Sequence, residues 1–187
     1  MEKMDLSRLT AYAKAFTGLT PEKEALLIEA GPDIKSGLPE VTQHFYDTLQ
    51  TIERTAPYIE GRLEQLKSTH LAWLQGLFSG PFDTDYTQAM YRVGAVHVKV
   101  GLPVEFMSGG MSLITQELIE LIGRTYGEDA SRCRAVLKAL NGVMGFSLLI
   151  MQQSYQNASL AAELERFLSI TGMSRSLFEN LAGAYRS

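Results

Sequence analysis

Helical periodicity runs through nearly the whole chain, and this regularity limits the available folds more than any other feature. Apolar residues recur every three to four positions in successive segments, whereas the alternation that is typical of a β-strand is nearly absent. The breaks between segments are short and contain glycine and proline, as at 79–83 and 101–103. The pattern therefore predicts an all-α protein of seven or eight helices with short connections.

Residue types at the segment ends support the predicted boundaries. Thr20 and Asp83 can each cap a helix, because their side-chain oxygens accept hydrogen bonds from the free N–H groups of a first turn. The predicted helices cover residues 5–17, 20–31, 32–49, 60–78, 83–100, 103–126 and 129–157. A further stretch of helical character, 158–185, is interrupted near residues 171–172. We therefore expect a main domain over 1–157 and a helical extension over 158–187.

Composition excludes several classes of protein. With 187 residues, of which 45% are hydrophobic, the chain can bury a core of its own. A net charge of −4 without clustered Lys or Arg argues against a nucleic-acid surface. Cys133 is the only cysteine, so neither a disulfide framework nor a CxxC-type zinc site can form. No signal peptide or continuous apolar run of membrane-spanning length is found, and a cytoplasmic location is expected.

No familiar catalytic motif is present, but one histidine has notable surroundings. His97 lies near the end of a predicted helix, with Val93, Val96 and Val100 as its helical neighbours. A lone histidine on an apolar face is more often a core or interface residue than a ligand, and Tyr46 can likewise be a core aromatic. In an all-α frame, however, an imidazole and a phenol on opposite walls of a pocket are a common way to hold haem.

Several motifs resemble the globin domain of bacterial globin-coupled sensors, as found in aerotaxis transducers and globin-linked diguanylate cyclases. The strongest is 93–103 (VGAVHVKVGLP), which is similar to the family's I-G-x-V-H-x-R-I-G-L segment. The other matching segments, in the same order and spacing, are 44–49 (HFYDTL), 62–69 (RLEQLKST) and 77–80 (LFSG) with Tyr86. The resemblance covers about residues 5–157 and implies a globin fold with an N-terminal pre-helix and a short or absent D helix.

The resemblance also implies roles for individual residues. His97 would be the proximal ligand of the iron of haem b, with Val93, Val96 and Val100 against the porphyrin. Tyr46 would be the distal hydrogen-bond donor, and Leu66 and Thr69 would line the distal side. Thr69 would share the hydrogen bond of Tyr46 or tune it.

His70 leaves an alternative open. On a helix it lies only about 40° from Leu66, so its side chain can also face the pocket. Packing at the haem edge or in the protein core is the favoured interpretation, and coordination of the iron as a sixth ligand is the alternative.

These features lead to a functional hypothesis, a haem-based sensor that binds O₂, with CO or NO as further ligands, and is not itself an enzyme. A homodimer through helices 103–126 and 129–157 is expected to pass the signal to an output domain. The alternatives are a haem oxidoreductase, either an NO dioxygenase or a peroxidase-like globin, and a cofactor-free helical interaction module. The first would need an electron supply, for which the sequence has no flavin or nicotinamide motif.

Overall fold

The structure, a computed structural model, describes residues 5–184. Within that range the chain forms eight α-helices and no strand, which confirms the all-α prediction. Two single 3₁₀ turns, Lys35–Gly37 and Ala56–Tyr58, lie between helices. The helices are α1 (Leu6–Thr17), α2 (Pro21–Ile34), α3 (Leu38–Thr51), α4 (Leu63–Leu77), α5 (Thr84–Lys99), α6 (Val104–Tyr126), α7 (Ala130–Thr171) and α8 (Arg175–Ala184).

The helix ends form where the sequence predicts them in most cases. The side chain of Asp83 accepts from the backbone N–H groups of Asp85 and Tyr86, and the hydroxyl of Thr20 accepts from that of Lys23. The C-terminal end of α7 is capped by Gly172, whose φ of 67° favours glycine. The short turn at Ala56–Tyr58 is the only helical piece described between α3 and α4, as expected for a globin with little or no D helix.

The boundary after α2 differs from the prediction. We expected a helix end near Gly31, but α2 passes through Pro32 and ends at Ile34. Proline removes one backbone hydrogen bond there, yet Ala30, Gly31 and Ile34 are buried, and this packing favours a last helical turn. Gly31 fits because a Cβ at this position would lie 2.5 Å from the carbonyl oxygen of Phe78.

The helix predicted to end at 157 is also longer than expected. α7 is one unbroken helix of 42 residues that passes through 157 and 158. The division into a domain of 1–157 and an extension of 158–187 therefore has no helix break to mark it and stays a prediction. The final residues of the predicted extension, 185–187, lie outside the described range.

Among the described residues, α7 has the length and apolar composition of a membrane-crossing helix, although the sequence analysis expected none. In its most apolar 18-residue window, 56% of the residues are buried inside the protein. This burial is typical of the central helix of a helical core, and α7 packs against α1, α2, α5 and α6.

The core also changes the basis of the predicted dimer. That prediction assumes surplus apolar surface, namely five apolar residues on α6 and two lines of apolar residues along α7. All five residues of α6 are buried within the single chain. Both apolar lines of α7 also contribute to this core, with Met144 and Met151 buried and Leu148 half-buried. The premise of surplus apolar surface is therefore wrong for these residues, since one globin-sized core covers them. The five α6 residues are Met111, Ile114, Leu118, Leu121 and Ile122.

Candidate functional site

One face of α5 carries apolar side chains that the rest of the protein covers only in part. Val93, Val96, His97 and Val100 follow one another at helical spacing and therefore share this face. The side chain of Val96 is 53% exposed and that of Val100 is 39% exposed, while Val93 and His97 are half-buried. Two exposed valines beside a histidine make this face a candidate binding surface.

His97 is suited to act as a ligand from this face. Its Nδ1 atom is buried and has no hydrogen-bond partner among residues 5–184. The other ring nitrogen, Nε2, lies on the less enclosed side and likewise forms no hydrogen bond within that range. Burial lowers the pKa of the imidazole, so the ring is neutral at physiological pH. A neutral imidazole offers a lone pair, which is the form that binds transition metals.

An adjacent side of α5 is held against α7. Gly94 lies at the crossing, where a Cβ would come within 2.3 Å of the carbonyl oxygen of Met151. The hydroxyl of Ser154 donates to the carbonyl oxygen of Tyr91, and the amide of Asn157 donates to the Tyr91 hydroxyl at 2.9 Å. These contacts fix the rotation of α5 about its axis, and with it the position of His97.

The corner that follows α5 fixes the end of the helix as well. Gly101 has a φ of 70°, and the backbone N–H of Leu102 donates to the carbonyl oxygen of His97 at 2.9 Å. Two phenols hold the corner from different directions. Tyr155 of α7 donates to the carbonyl oxygen of Leu102, and Tyr58 donates to that of Gly101, both at 3.0 Å. The turn of helix that carries His97 is therefore constrained on both sides.

Tyr46 lies on α3 and is buried, with 7% of its surface exposed. Burial raises the pKa of its phenol to about 12, so the hydroxyl keeps its proton throughout the physiological range. Within the described part of the chain this hydroxyl forms no hydrogen bond. The phenol therefore keeps its O–H without a hydrogen-bond partner among the described residues, and its role as the distal donor stays a prediction.

The ring of His70 packs against that of Tyr46. Its ring stacks on Phe45 at 4.9 Å between centroids and meets the ring of Tyr46 edge-on at 5.7 Å. Its Nδ1 atom lies 3.1 Å from the hydroxyl oxygen of Thr42. Burial lowers the pKa of His70 to about 4, so the imidazole is neutral. The structure therefore places His70 in the core beside Tyr46, and it adds Thr42, which the sequence analysis did not identify.

The remaining two predicted distal residues lie on α4. Leu66 is half-buried, whereas Thr69 is exposed and its hydroxyl donates to the carbonyl oxygen of Gln65 at 3.0 Å. Thr69 thus uses its hydrogen bond within its own helix, and Tyr46 has its polar neighbour in His70 instead. α4 itself packs chiefly on α3, so it forms a wall together with α3 and apart from α5.

The residue types on α5 and on α3 and α4 suit a flat, mostly apolar group bound through an axial ligand. On one side, exposed valines surround an imidazole whose Nε2 has no partner. On the other side, a phenol and an imidazole each have a polar atom without a hydrogen-bond partner in residues 5–184. Haem has this shape and polarity, and histidine is a common axial ligand of its iron.

Comparison with known sequences gives a matching family. The profile of the Protoglobin family matches residues 6–161. The heme-based aerotactic transducer HemAT of Halobacterium salinarum is 29% identical over 115 residues, which cover 60% of this chain and 24% of the transducer. The chain thus spans about a quarter of the length of this curated relative.

Comparison with solved structures agrees with the fold. The globin domain of the Geobacter sulfurreducens globin-coupled sensor has a TM-score of 0.72 and 28% identity, over 78% of this chain and 96% of that domain. The ferrous globin domain of Escherichia coli DosC has a TM-score of 0.66 and covers 78% of this chain and 99% of that domain. At 18% identity, the likeness to DosC concerns the fold alone.

Proposed function

This chain belongs to the Protoglobin family, and we propose that it is the gas-binding globin domain of a haem-based sensor. The observation that carries the proposal is the open valine face of α5 around a neutral histidine. The family match and the likeness to HemAT and to the globin-coupled sensor domain support it. The chain covers only 24% of HemAT, so signalling by a longer protein is part of the proposal.

The haem we propose is haem b, which supplies an iron able to bind a diatomic gas reversibly. His97 would hold the iron through Nε2, while Val93, Val96 and Val100 would pack against the porphyrin. Leu66 and Thr69 would line the distal side of the haem, away from His97. Tyr46 would donate a hydrogen bond to the gas.

The phenol of Tyr46 accounts for a preference among gases. Since its pKa is about 12, it donates a proton in a hydrogen bond without losing it at physiological pH. O₂ as a ligand is more polarised than CO, so the same donor stabilises O₂ by more. Because Tyr46 is buried, water competes little for this hydrogen bond. We therefore propose O₂ as the principal ligand, with CO and NO as further ligands.

A direct test separates sensing from the oxidoreductase alternative. The full chain, loaded with haem and reduced, is titrated with O₂ and then given NO in the presence of a reductant. Reversible O₂ binding without sustained NO consumption is expected of a sensor. Multiple turnovers of NO would favour the dioxygenase instead, and O₂ that oxidises the iron on first contact would contradict reversible sensing.

We also propose that the domain forms a homodimer through α6 and α7. The remaining support is apolar surface on these helices, since Ile119 and Leu160 are exposed and Leu148 is half-buried. A twofold copy would cover this surface and place two α7 extensions side by side, towards an output domain in a cytoplasmic protein. Sedimentation at tens of micromolar should give a dimer that Ile119→Glu or Leu148→Glu dissociates while haem is retained. A monomeric wild type would contradict this proposal and leave the haem site intact.

A further inference from the structure

Thr42 and His70 form a buried polar pair beside Tyr46. Thr42 is 4% exposed and His70 is 9% exposed, and 3.1 Å separates the hydroxyl oxygen from Nδ1. Phe45 stacks on one face of the imidazole at an interplanar angle of 18°, which fixes the plane of the ring. A buried contact of this kind constrains which atom carries each proton, because every hydrogen needs an acceptor.

The hydroxyl of Thr42 has only one acceptor within the described residues. A threonine in a helix commonly donates to the carbonyl oxygen four residues before it. Thr42 forms no such bond, and the nitrogen of His70 is its only hydrogen-bond partner there. Seven other helical threonines do form it, namely Thr10, Thr17, Thr69, Thr87, Thr115, Thr125 and Thr171.

The direction of this hydrogen bond determines the tautomer of His70. If the Thr42 hydroxyl donates, Nδ1 must accept with its lone pair. A neutral imidazole carries one proton, which then resides on Nε2. Nε2 is buried and has no partner among residues 5–184. The arrangement thus leaves an N–H donor without an acceptor, close to the phenol of Tyr46.

We infer that Thr42 is a positioning residue that fixes His70 as its Nε2–H tautomer, so that His70 is a second hydrogen-bond donor for a gas ligand, beside Tyr46. This inference rests on the proposed haem site. It also answers the question that the sequence left open about His70. A nitrogen that bears a proton has no lone pair for iron, so this tautomer keeps His70 from acting as a sixth ligand.

The tautomer can be read by NMR on the haem-loaded full chain in its ferrous, CO-bound form, which is diamagnetic. With ¹⁵N-labelled histidine, Nε2 correlates with both ring protons, whereas Nδ1 correlates strongly with Hε1 alone. We expect Nε2 of His70 to be the protonated nitrogen. Protonation at Nδ1 would overturn the inference. If the chain does not take up haem, the proposed function fails, and the same spectrum of the haem-free chain still reads the tautomer.

The positioning role of Thr42 can be tested by the O₂ dissociation rate of its variants. Thr42→Val keeps the shape but removes the hydroxyl, and it should speed O₂ dissociation about tenfold, as loss of one neutral hydrogen bond predicts. Thr42→Ser should restore the wild-type rate within twofold. Thr17→Val is the matched control, because the Thr17 hydroxyl donates only to its own helix at Ala13, and it should change nothing.

A double variant distinguishes positioning from a merely structural effect. In a His70→Leu background, Thr42→Val should add no further change to the O₂ dissociation rate, since its effect passes through His70. A full additional tenfold change in that background would overturn the role. So would a wild-type deoxy ferrous spectrum that is low-spin and six-coordinate and that His70→Leu converts to high-spin.

Discussion

The two walls of the site differ in what they leave exposed. On the wall formed by α3 and α4, Tyr46 and His70 are both less than 10% exposed and their rings pack edge-on against each other. On the wall formed by α5, Val96 is 53% exposed and Val100 is 39% exposed. Covering large exposed apolar side chains with a large apolar group is favourable in free energy. A few buried polar atoms, in contrast, can form hydrogen bonds only with a small ligand. Under the proposed function, we therefore expect α5 to account mainly for haem retention and α3 and α4 to account mainly for gas discrimination.

The largest effect is expected at His97, which would hold the iron. His97→Ala should speed haem loss to an acceptor globin by at least about a hundredfold, because the axial ligand is removed from an otherwise open face. Added imidazole should restore part of the retention. His44→Ala is the control, since His44 lies on the surface with Nδ1 3.0 Å from Glu117. If His97→Ala retains haem as well as the wild type, α5 is not the wall that retains haem.

The buried wall predicts a pH dependence of stability. The pKa of His70 falls from 6.5 to about 4 on folding, so the unfolded chain binds the proton first and protonation favours unfolding. Stability is therefore lost as pH falls from 6.5 towards 4, by about 2 kcal/mol between pH 7 and pH 5. Urea unfolding of the haem-free chain should show this loss of unfolding free energy. In His70→Leu the loss between pH 7 and pH 5 should be smaller by about 2 kcal/mol. An equal loss in the variant would place the titration elsewhere, first at His97.

Tyr46→Phe tests the role of the polar wall formed by α3 and α4. Losing one hydrogen bond to a polarised ligand in a buried site costs about 1–3 kcal/mol, which corresponds to roughly a tenfold to hundredfold faster O₂ dissociation. CO dissociation should change much less. Tyr126→Phe is a matched control, because that hydroxyl donates to Asp33 on the surface at 2.8 Å. Equal changes for O₂ and CO would argue against a hydrogen bond and for a change in pocket shape.

The smallest effect concerns the apolar character of α5. Val96→Glu places a charge on the face proposed to cover the porphyrin and should speed haem loss about tenfold. Val104→Glu, at a valine 45% exposed near the start of α6, should have little effect. If both variants retain haem equally well, the exposed valines of α5 are ordinary surface residues.

The sequence predicted one wall better than the other. Helical spacing alone placed Val93, Val96 and Val100 with His97 on one face of one helix, because these residues are neighbours in sequence. The resemblance added Tyr46, Leu66 and Thr69. The bond between Thr42 and His70 spans 28 residues and depends on how α3 packs on α4, so no local pattern indicates it. The continuation of α7 past 157 was not predicted either, and none of residues 158–167 is buried.

The most direct measurement is a titration of the purified full chain with haem, followed by its absorption spectrum in the ferric, ferrous and O₂-bound forms. We expect saturation at one haem per chain, with a Soret band and a five-coordinate, histidine-type spectrum in the ferrous form without gas. O₂ should then convert that spectrum reversibly. A chain that shows no saturable Soret band would contradict the haem site, and His97 and Tyr46 would then be core residues of a cofactor-free helical module.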